Sequence, residues 1–205
     1  ITFLDDDDAY QPLKLEKQWQ RAQATGLPIG MCGIVYHLKG RRRVRQVSAE
    51  EVRGGDLLLS YQAMPSLFHR KSSGVLFNED LFAGEDAHYF CQVIAHFQVD
   101  RLFNVAEPLV DIYPQPGPRV NTNAEGLWQA AQLIHRHFAP AFGEDTARLF
   151  LTRARLGYLK LQKGQLPEML KLAFGLLRMG GPKELRFILN ALLFRSRWAR
   201  RFLVG

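Results

Sequence analysis

Residues 1–15 read Ile1-Thr2-Phe3-Leu4-Asp5-Asp6-Asp7-Asp8-Ala9-Tyr10-Gln11-Pro12-Leu13-Lys14-Leu15. A continuous apolar run of this kind is how a strand buried in a parallel sheet reads. Four carboxylates follow it at once. At about 5 Å and an effective dielectric near 20, each neighbouring pair costs on the order of 3 kcal/mol. A solvated turn dilutes that cost, and a divalent cation reverses it. Mg²⁺ and Mn²⁺ favour carboxylate oxygens. In an extended chain Asp5 and Asp7 lie on the same side. The end of a buried strand is also where open α/β folds bind ligands. Pro12 then opens a helix carrying Leu13, Leu15 and Trp19, and Gly26-Leu27-Pro28 closes it.

Further along, residues 30–37 read as a strand, Lys39-Gly40-Arg41 as a turn and residues 43–47 as the return strand of a hairpin. Ser48 and Glu51 have the spacing of a capping box and predict a helical turn. Residues 56–61 read as another short element and 65–70 as a strand. Residues 71–86 read as an ordered loop, 87–97 as a helix, and 99–105 and 109–113 as two strands. Pro114-Gln115-Pro116-Gly117-Pro118 is the clearest break. Helical patterning follows over about 124–139, 145–163, 166–179 and 183–203, with Gly180-Gly181-Pro182 before the last. The expected class is α/β over residues 1–118 and all-helical over 119–205.

The 205 residues are 47% hydrophobic and 23% charged, which excludes a disordered or collagen-like chain. Cys32 and Cys91 are too few for a disulfide framework or a Cys-rich zinc module and read as small buried hydrophobes. No apolar run reaches the roughly 18 residues of a membrane span. The net charge of +7 is uneven: residues 151–205 carry +10 and residues 1–150 carry −3. The opening on a strand suggests a fragment of a longer chain.

Two further constellations carry chemistry. Gly84-Glu85-Asp86 precedes a helix; Asp86 has the place of an N-cap or of a general base whose pKa a neighbouring acid raises. Glu79-Asp80 is a similar doublet. Phe68-His69-Arg70-Lys71 places cations where they can hold phosphate oxygens. Arg41-Arg42-Arg43-Val44-Arg45 is a basic patch over a hairpin tip. His135 and His137 are wrongly spaced for one helical face, and no Gly-rich phosphate loop or Ser or Cys nucleophile motif is present.

The acidic run with its apolar strand, Tyr10 and Pro12-x-x-Leu15, then Phe77-Asn78-Glu79-Asp80-Leu81, then Gly84-Glu85-Asp86, resembles in this order the family 2 glycosyltransferases with the GT-A fold. Asn78 stands where the family usually has Asp. The resemblance covers about residues 1–113. It implies the C-terminal, metal- and acceptor-binding portion of a GT-A domain over residues 1–118, without the preceding nucleotide-binding part, and a basic helical region over 119–205. It implies an inverting transferase that moves a sugar from a nucleotide-sugar to a hydroxyl of a glycan or lipid-linked acceptor. By that resemblance Asp7 and Asp5 hold Mn²⁺ or Mg²⁺, and Asp5, Asp6, Arg70 and Lys71 bind the donor. Asp86 is the catalytic base, assisted by Glu85, and Glu85 and Glu79 bind the acceptor. Expected setting and partners follow: bacterial surface-polysaccharide or glycolipid synthesis, in the cytoplasm or on the inner face of the membrane. Residues 183–205 are the expected contact with an anionic membrane surface, and no nucleic acid is expected. The piece alone is expected to have little transferase activity. The competing expectation is a non-catalytic cation-binding module that docks on membrane.

Overall fold

A computed structural model describes residues 1–38, 40–59, 63–71, 74–114, 123–162 and 165–193. In chain order the elements are β1 (Ala9–Tyr10), α1 (Lys14–Thr25), β2 (Ile29–Leu38), β3 (Arg41–Arg45), β4 (Glu51–Arg53) and α2 (Gly54–Leu59). A 3₁₀ turn (Met64–Ser66), β5 (Phe68–His69), α3 (Glu85–Phe97) and β6 (Arg101–Ile112) complete the mixed part. Then come α4 (Ala124–Phe142), α5 (Glu144–Leu161), α6 (Leu166–Gly180), a 3₁₀ turn (Gly181–Glu184) and α7 (Leu185–Leu193).

The protein is thus mixed α/β with a helical C-terminal region. It divides into a sheet unit, Ile1–Phe77 with Tyr89–Pro118, and a helical unit, Asn78–His88 with Arg119–Gly205. The division runs through α3, between His88 and Tyr89, so the segment holding Glu79, Glu85 and Asp86 groups with the helical unit.

The six-stranded sheet runs β1-β6-β2-β3, with β4 also on β6 and β5 also on β2. Among the described residues β2 and β6 pair in parallel and the other pairs are antiparallel. Cys32 and Ile34 of β2 and Leu109 and Val110 of β6 form one core, flanked by Tyr10, Tyr36 and Ile112. Two glycines fit these strands together. The ring of Phe103 occupies the place where a Cβ on its register partner Gly30 would stand, 2.0 Å away. A Cβ on Gly33 would meet the Glu107 carbonyl at 2.9 Å and Pro108 Cα at 3.1 Å.

That second approach corrects the reading of two strands over 99–105 and 109–113. The chain forms one strand, β6, whose register against β2 shifts on either side of Gly33. Pro108, which has no N–H to give, sits at that irregularity and does not end the strand.

The capping box is also overturned. Residues 46–50 are irregular and lead into β4. Buried Asn104 of β6 is the reason: its Nδ2 donates to the Val47 and Ala49 carbonyls at 2.7 Å each, and its backbone N–H donates to the Glu50 carbonyl. Three long-range bonds outbid one local turn.

Residues 1–4 form no strand ladder. Ile1 exchanges a pair of backbone bonds with His69, Thr2 Oγ1 donates to the Leu67 carbonyl, and Ile1 and Leu4 are exposed. Of the strand expected over 65–70 only Phe68–His69 pair into the sheet, because the Met64–Ser66 turn takes up its start. The hairpin return begins at Arg41, two residues early, and α3 begins at Glu85 rather than residue 87.

Helix α1 turns an unexpected face inward. Leu13, Leu15 and Trp19 are exposed, while Lys14 and Gln18 are wholly buried. Lys14 Nζ donates to Thr2 Oγ1 (3.0 Å) and Gln18 Oε1 (2.8 Å) and lies 4.0 Å from the Tyr10 ring centroid. Gln18 Nε2 in turn donates to the Ser66 carbonyl. Burial lowers the Lys14 pKa to about 8, against a weaker opposing influence of Cys32.

In the helical unit, Pro182 and Gly181 end α6 as expected. The last helix starts as a 3₁₀ turn and becomes α7 at Leu185; residues 194–205 lie outside the described residues. Asn123 caps α4 by accepting the Gly126 N–H. Cys32 and Cys91 are both free and buried, and burial pushes both thiols up, Cys32 to about 11. Among the described residues no helix is long and apolar enough to cross a membrane.

Candidate functional site

The acidic run does not continue an extended chain. The Asp8 N–H donates to the Asp5 carbonyl at 3.2 Å, closing a turn. One carboxylate oxygen from each of Asp5, Asp7 and Asp8 lies within 4.8 Å of the others. Asp5 and Asp7 are therefore brought together as the sequence predicts, by a turn rather than by strand alternation. Asp6 is exposed and is not part of this group.

Asp8 is the member that sequence reasoning did not single out. It is half-buried, and its Oδ1 accepts the Tyr113 N–H at 3.0 Å. Burial raises its pKa, the Tyr113 N–H opposes that rise, and the charges of Asp7 and Asp5 add to it. Three hard oxygen donors, mutually repelling, are a donor set that suits Mg²⁺ or Mn²⁺.

The cluster is tied to the sheet through Tyr113. That ring stacks on His37 at 4.4 Å and 13°. His37 Nε2 pairs with Asp111 Oδ1 at 2.6 Å, and Gln11 Nε2 donates to Asp111 Oδ2. Ala9 and Asp111 are register partners across β1 and β6. The ends of β1, β2 and β6 thus hold the acidic turn from one side. Sequence reasoning passed over His37, Asp111 and Tyr113. The available signal was an acid inside the apolar run Leu109-Val110-Asp111-Ile112, which needs a partner if buried.

The segment before the acids is fixed by aromatic packing. Phe3 meets Phe77 at 5.5 Å and Tyr89 at 5.3 Å, both edge-on, and Phe77 stacks on Tyr89 at 4.4 Å. Buried His69 completes this group: Nε2 bonds the Tyr89 hydroxyl at 3.1 Å and Nδ1 the Arg70 carbonyl at 2.8 Å. Burial holds its pKa below the usual histidine value. Phe77 of the Phe-Asn-Glu-Asp-Leu segment therefore packs against this group through one face of its ring while it stays 40% exposed.

Arg70 and Lys71 are exposed and line a groove of about 370 Å³ with Trp19, Pro28 and Phe68. The Arg70 guanidinium lies 5.6 Å from the Phe97 ring centroid. None of Asp5, Asp6, Asp7 and Asp8 lines this groove, so the expected donor residues do not share one described cavity.

Glu79, Glu85 and Asp86 belong to the helical unit. Asn78 forms an Asx turn, its Oδ1 accepting the Asp80 N–H at 3.0 Å, and leaves Glu79 exposed. Gly84 has φ +77°, and its carbonyl accepts the His88 N–H. A Cβ there would stand 2.8 Å from Ala130 Cβ, so this turn requires glycine on both counts. Glu85 and Asp86 occupy the first turn of α3, where the helix dipole favours negative charge. Asp86 Oδ1 accepts the Ala87 N–H at 2.6 Å. Glu85 Oε2 and His88 Nδ1 are buried with no hydrogen-bond partner among the described residues.

Compared with known proteins, the chain matches no protein-family model, and no curated protein matches it.

Proposed function

We propose that the chain is the metal- and acceptor-binding part of an inverting, metal-dependent glycosyltransferase of the GT-A kind. The reading rests on the motif order of the sequence. The observation that carries it furthest is the convergence of Asp5, Asp7 and Asp8 within 4.8 Å on the turn that follows residues 1–4. In this reading Asp5 and Asp7 hold Mn²⁺ or Mg²⁺, and Asp8, anchored to Tyr113, sets the shape of the turn. The bound cation supplies positive charge that neutralises a departing nucleoside diphosphate. Asp86 takes the proton from the acceptor hydroxyl, and Glu85 orients that hydroxyl. The acceptor oxygen forms its bond to the anomeric carbon as the bond to the diphosphate oxygen breaks on the opposite face. Arg70 and Lys71 bind donor phosphate oxygens, and the acceptor is a glycan or lipid-linked hydroxyl of bacterial surface-polysaccharide or glycolipid synthesis.

Calorimetric titration of Mn²⁺ into the chain, with and without a panel of nucleoside diphosphates, tests this. The expected result is binding that tightens with one nucleotide and weakens at least about tenfold in Asp7→Ala, the loss of one of three charged donors. Mn²⁺ binding indifferent to every nucleotide would instead favour the cation-binding module, and no binding at all would remove both readings.

A further inference from the structure

Strand β3 lies at the edge of the sheet, and all five of its residues, Arg41, Arg42, Arg43, Val44 and Arg45, are exposed. Its register with β2 sorts them. Arg41 faces Leu38, Arg42 faces His37, Arg43 faces Tyr36 and Val44 faces Val35. Cross-strand partners share a face. Arg41 and Arg43 therefore emerge beside Leu38 and Tyr36, and Arg42 beside Val44 on the opposite face. Leu38 is 42% exposed and Val44 51%. Among the described residues no carboxylate pairs with Arg41, Arg42 or Arg43. Arg45 is engaged within the fold and is not counted here.

An edge strand needs some charge to keep it from pairing with another sheet, and a single cation serves that purpose. Three successive guanidinium groups go further, because they repel one another until an anion lies against them. Their planar forks match phosphate oxygens. On the face of Arg41 and Arg43, exposed Leu38 gives the hairpin the composition of an interfacial membrane segment: charge for the headgroups and an aliphatic side chain for the acyl boundary. A nucleic acid would satisfy the arginines and leave Leu38 in water. The Asp5-Asp7-Asp8 turn is tied to the same end of β2 through Tyr113 and His37. It would repel a polyanion laid across that region, whereas a flat bilayer can meet the hairpin alone. We propose that the β2–β3 hairpin docks on the surface of an anionic phospholipid bilayer by the face of Arg41, Arg43 and Leu38, with Arg42 adding its charge within the Debye length of the same headgroups. The proposal is independent of the glycosyltransferase reading, and its residues lie far in sequence from the basic stretch over 183–205.

The test floats the full chain with phosphatidylcholine vesicles, with and without phosphatidylglycerol. Wild type is expected to float only with phosphatidylglycerol. The variant Arg41→Ser/Arg42→Ser/Arg43→Ser is expected to lose about a hundredfold in partitioning, near a factor of five per cation at an anionic surface. A control with the same charge removed from exposed positions of the helical unit, Arg136→Ser/Lys171→Ser/Arg178→Ser, should stay within about threefold of wild type if position matters and not net charge. Replacing the three arginines with lysine should retain most of the binding, which separates lost charge from a damaged hairpin. Equal losses in the hairpin and control variants, or no flotation of wild type, would overturn the proposal. So would a single-stranded oligonucleotide that binds wild type and not the hairpin variant while vesicles bind neither.

Discussion

The sheet unit and the helical unit bury their polar groups by different means. In the sheet unit Lys14, Gln18, His69, Asn104 and Asp111 are all buried, and each is held by bonds to residues distant in sequence or to the backbone of another element. In the helical unit the outstanding case is a single ion pair. Glu184 is fully buried, and Arg153 meets it with two bonds of 2.6 Å, Nε to Oε2 and a terminal nitrogen to Oε1. Gly180 leaves room for that carboxylate, whose Cγ stands 2.5 Å from where a Cβ would be. A network spreads the cost of losing one member, whereas a buried carboxylate held by one bidentate guanidinium concentrates it. The Asp111–His37 pair borders the acidic turn through Tyr113, so that part of the sheet unit's polar bonding lies where the candidate site needs fixed geometry.

The largest expected effect tests the concentrated case. Arg153→Ala leaves the buried Glu184 carboxylate without its bidentate partner, and should cost about 3–5 kcal/mol in denaturant unfolding followed through the helices. Arg153→Met/Glu184→Leu should recover most of that loss. If Arg153→Ala costs less than about 1 kcal/mol, the pair is solvated and the contrast between units fails.

Next comes the packed strand pair. Gly30→Ala forces a methyl into the Phe103 ring and should cost about 1–3 kcal/mol, with Phe103→Leu partly restoring stability in the double variant. Additive effects would mean that β2 and β6 do not meet there.

The smallest effect is a slope. Lys14 has its pKa lowered to about 8 in the folded chain from an ordinary 10.5. Above about pH 8 the folded form has released this proton and the unfolded form retains it, so this group makes stability rise with pH. The buried thiols, with raised pKa values, subtract stability as their unfolded counterparts ionise around pH 9, so the useful window is about 8 to 9 and is read as a difference from a variant that keeps both thiols. Wild type should gain stability across that window relative to Lys14→Met. Parallel pH profiles would show that Lys14 stays charged inside the network.

The same contrast explains what was legible in advance. The helical unit was readable because its cues are local: Gly180-Gly181-Pro182 as a break before the last helix, and helical periodicity over the segments on either side. β2 was readable as an apolar run. The reading of residues 48–51 failed because Asn104, more than fifty residues away, supplies bonds that a capping box cannot match. The inward face of α1 was misjudged because Lys14 is tolerable inside only with Thr2, Gln18 and Tyr10 around it. At the candidate site, Asp5 and Asp7 were legible from their neighbours in the chain. Asp8 gained its role from Tyr113, 105 residues away, and His37 from Asp111, 74 residues away.

By itself, then, the sequence determined the α/β-then-helical order, the acidic run and its motif companions, and the arginines of β3, because adjacency and periodicity alone encode these. Tertiary structure alone decided that the acids form a turn, that Asp8 joins Asp5 and Asp7, that β6 is one strand bent past Gly33, and that a lysine lies in the core. Each of these depends on a hydrogen bond or a close approach between segments far apart in the chain, and no local pattern carries the free energy of such a contact.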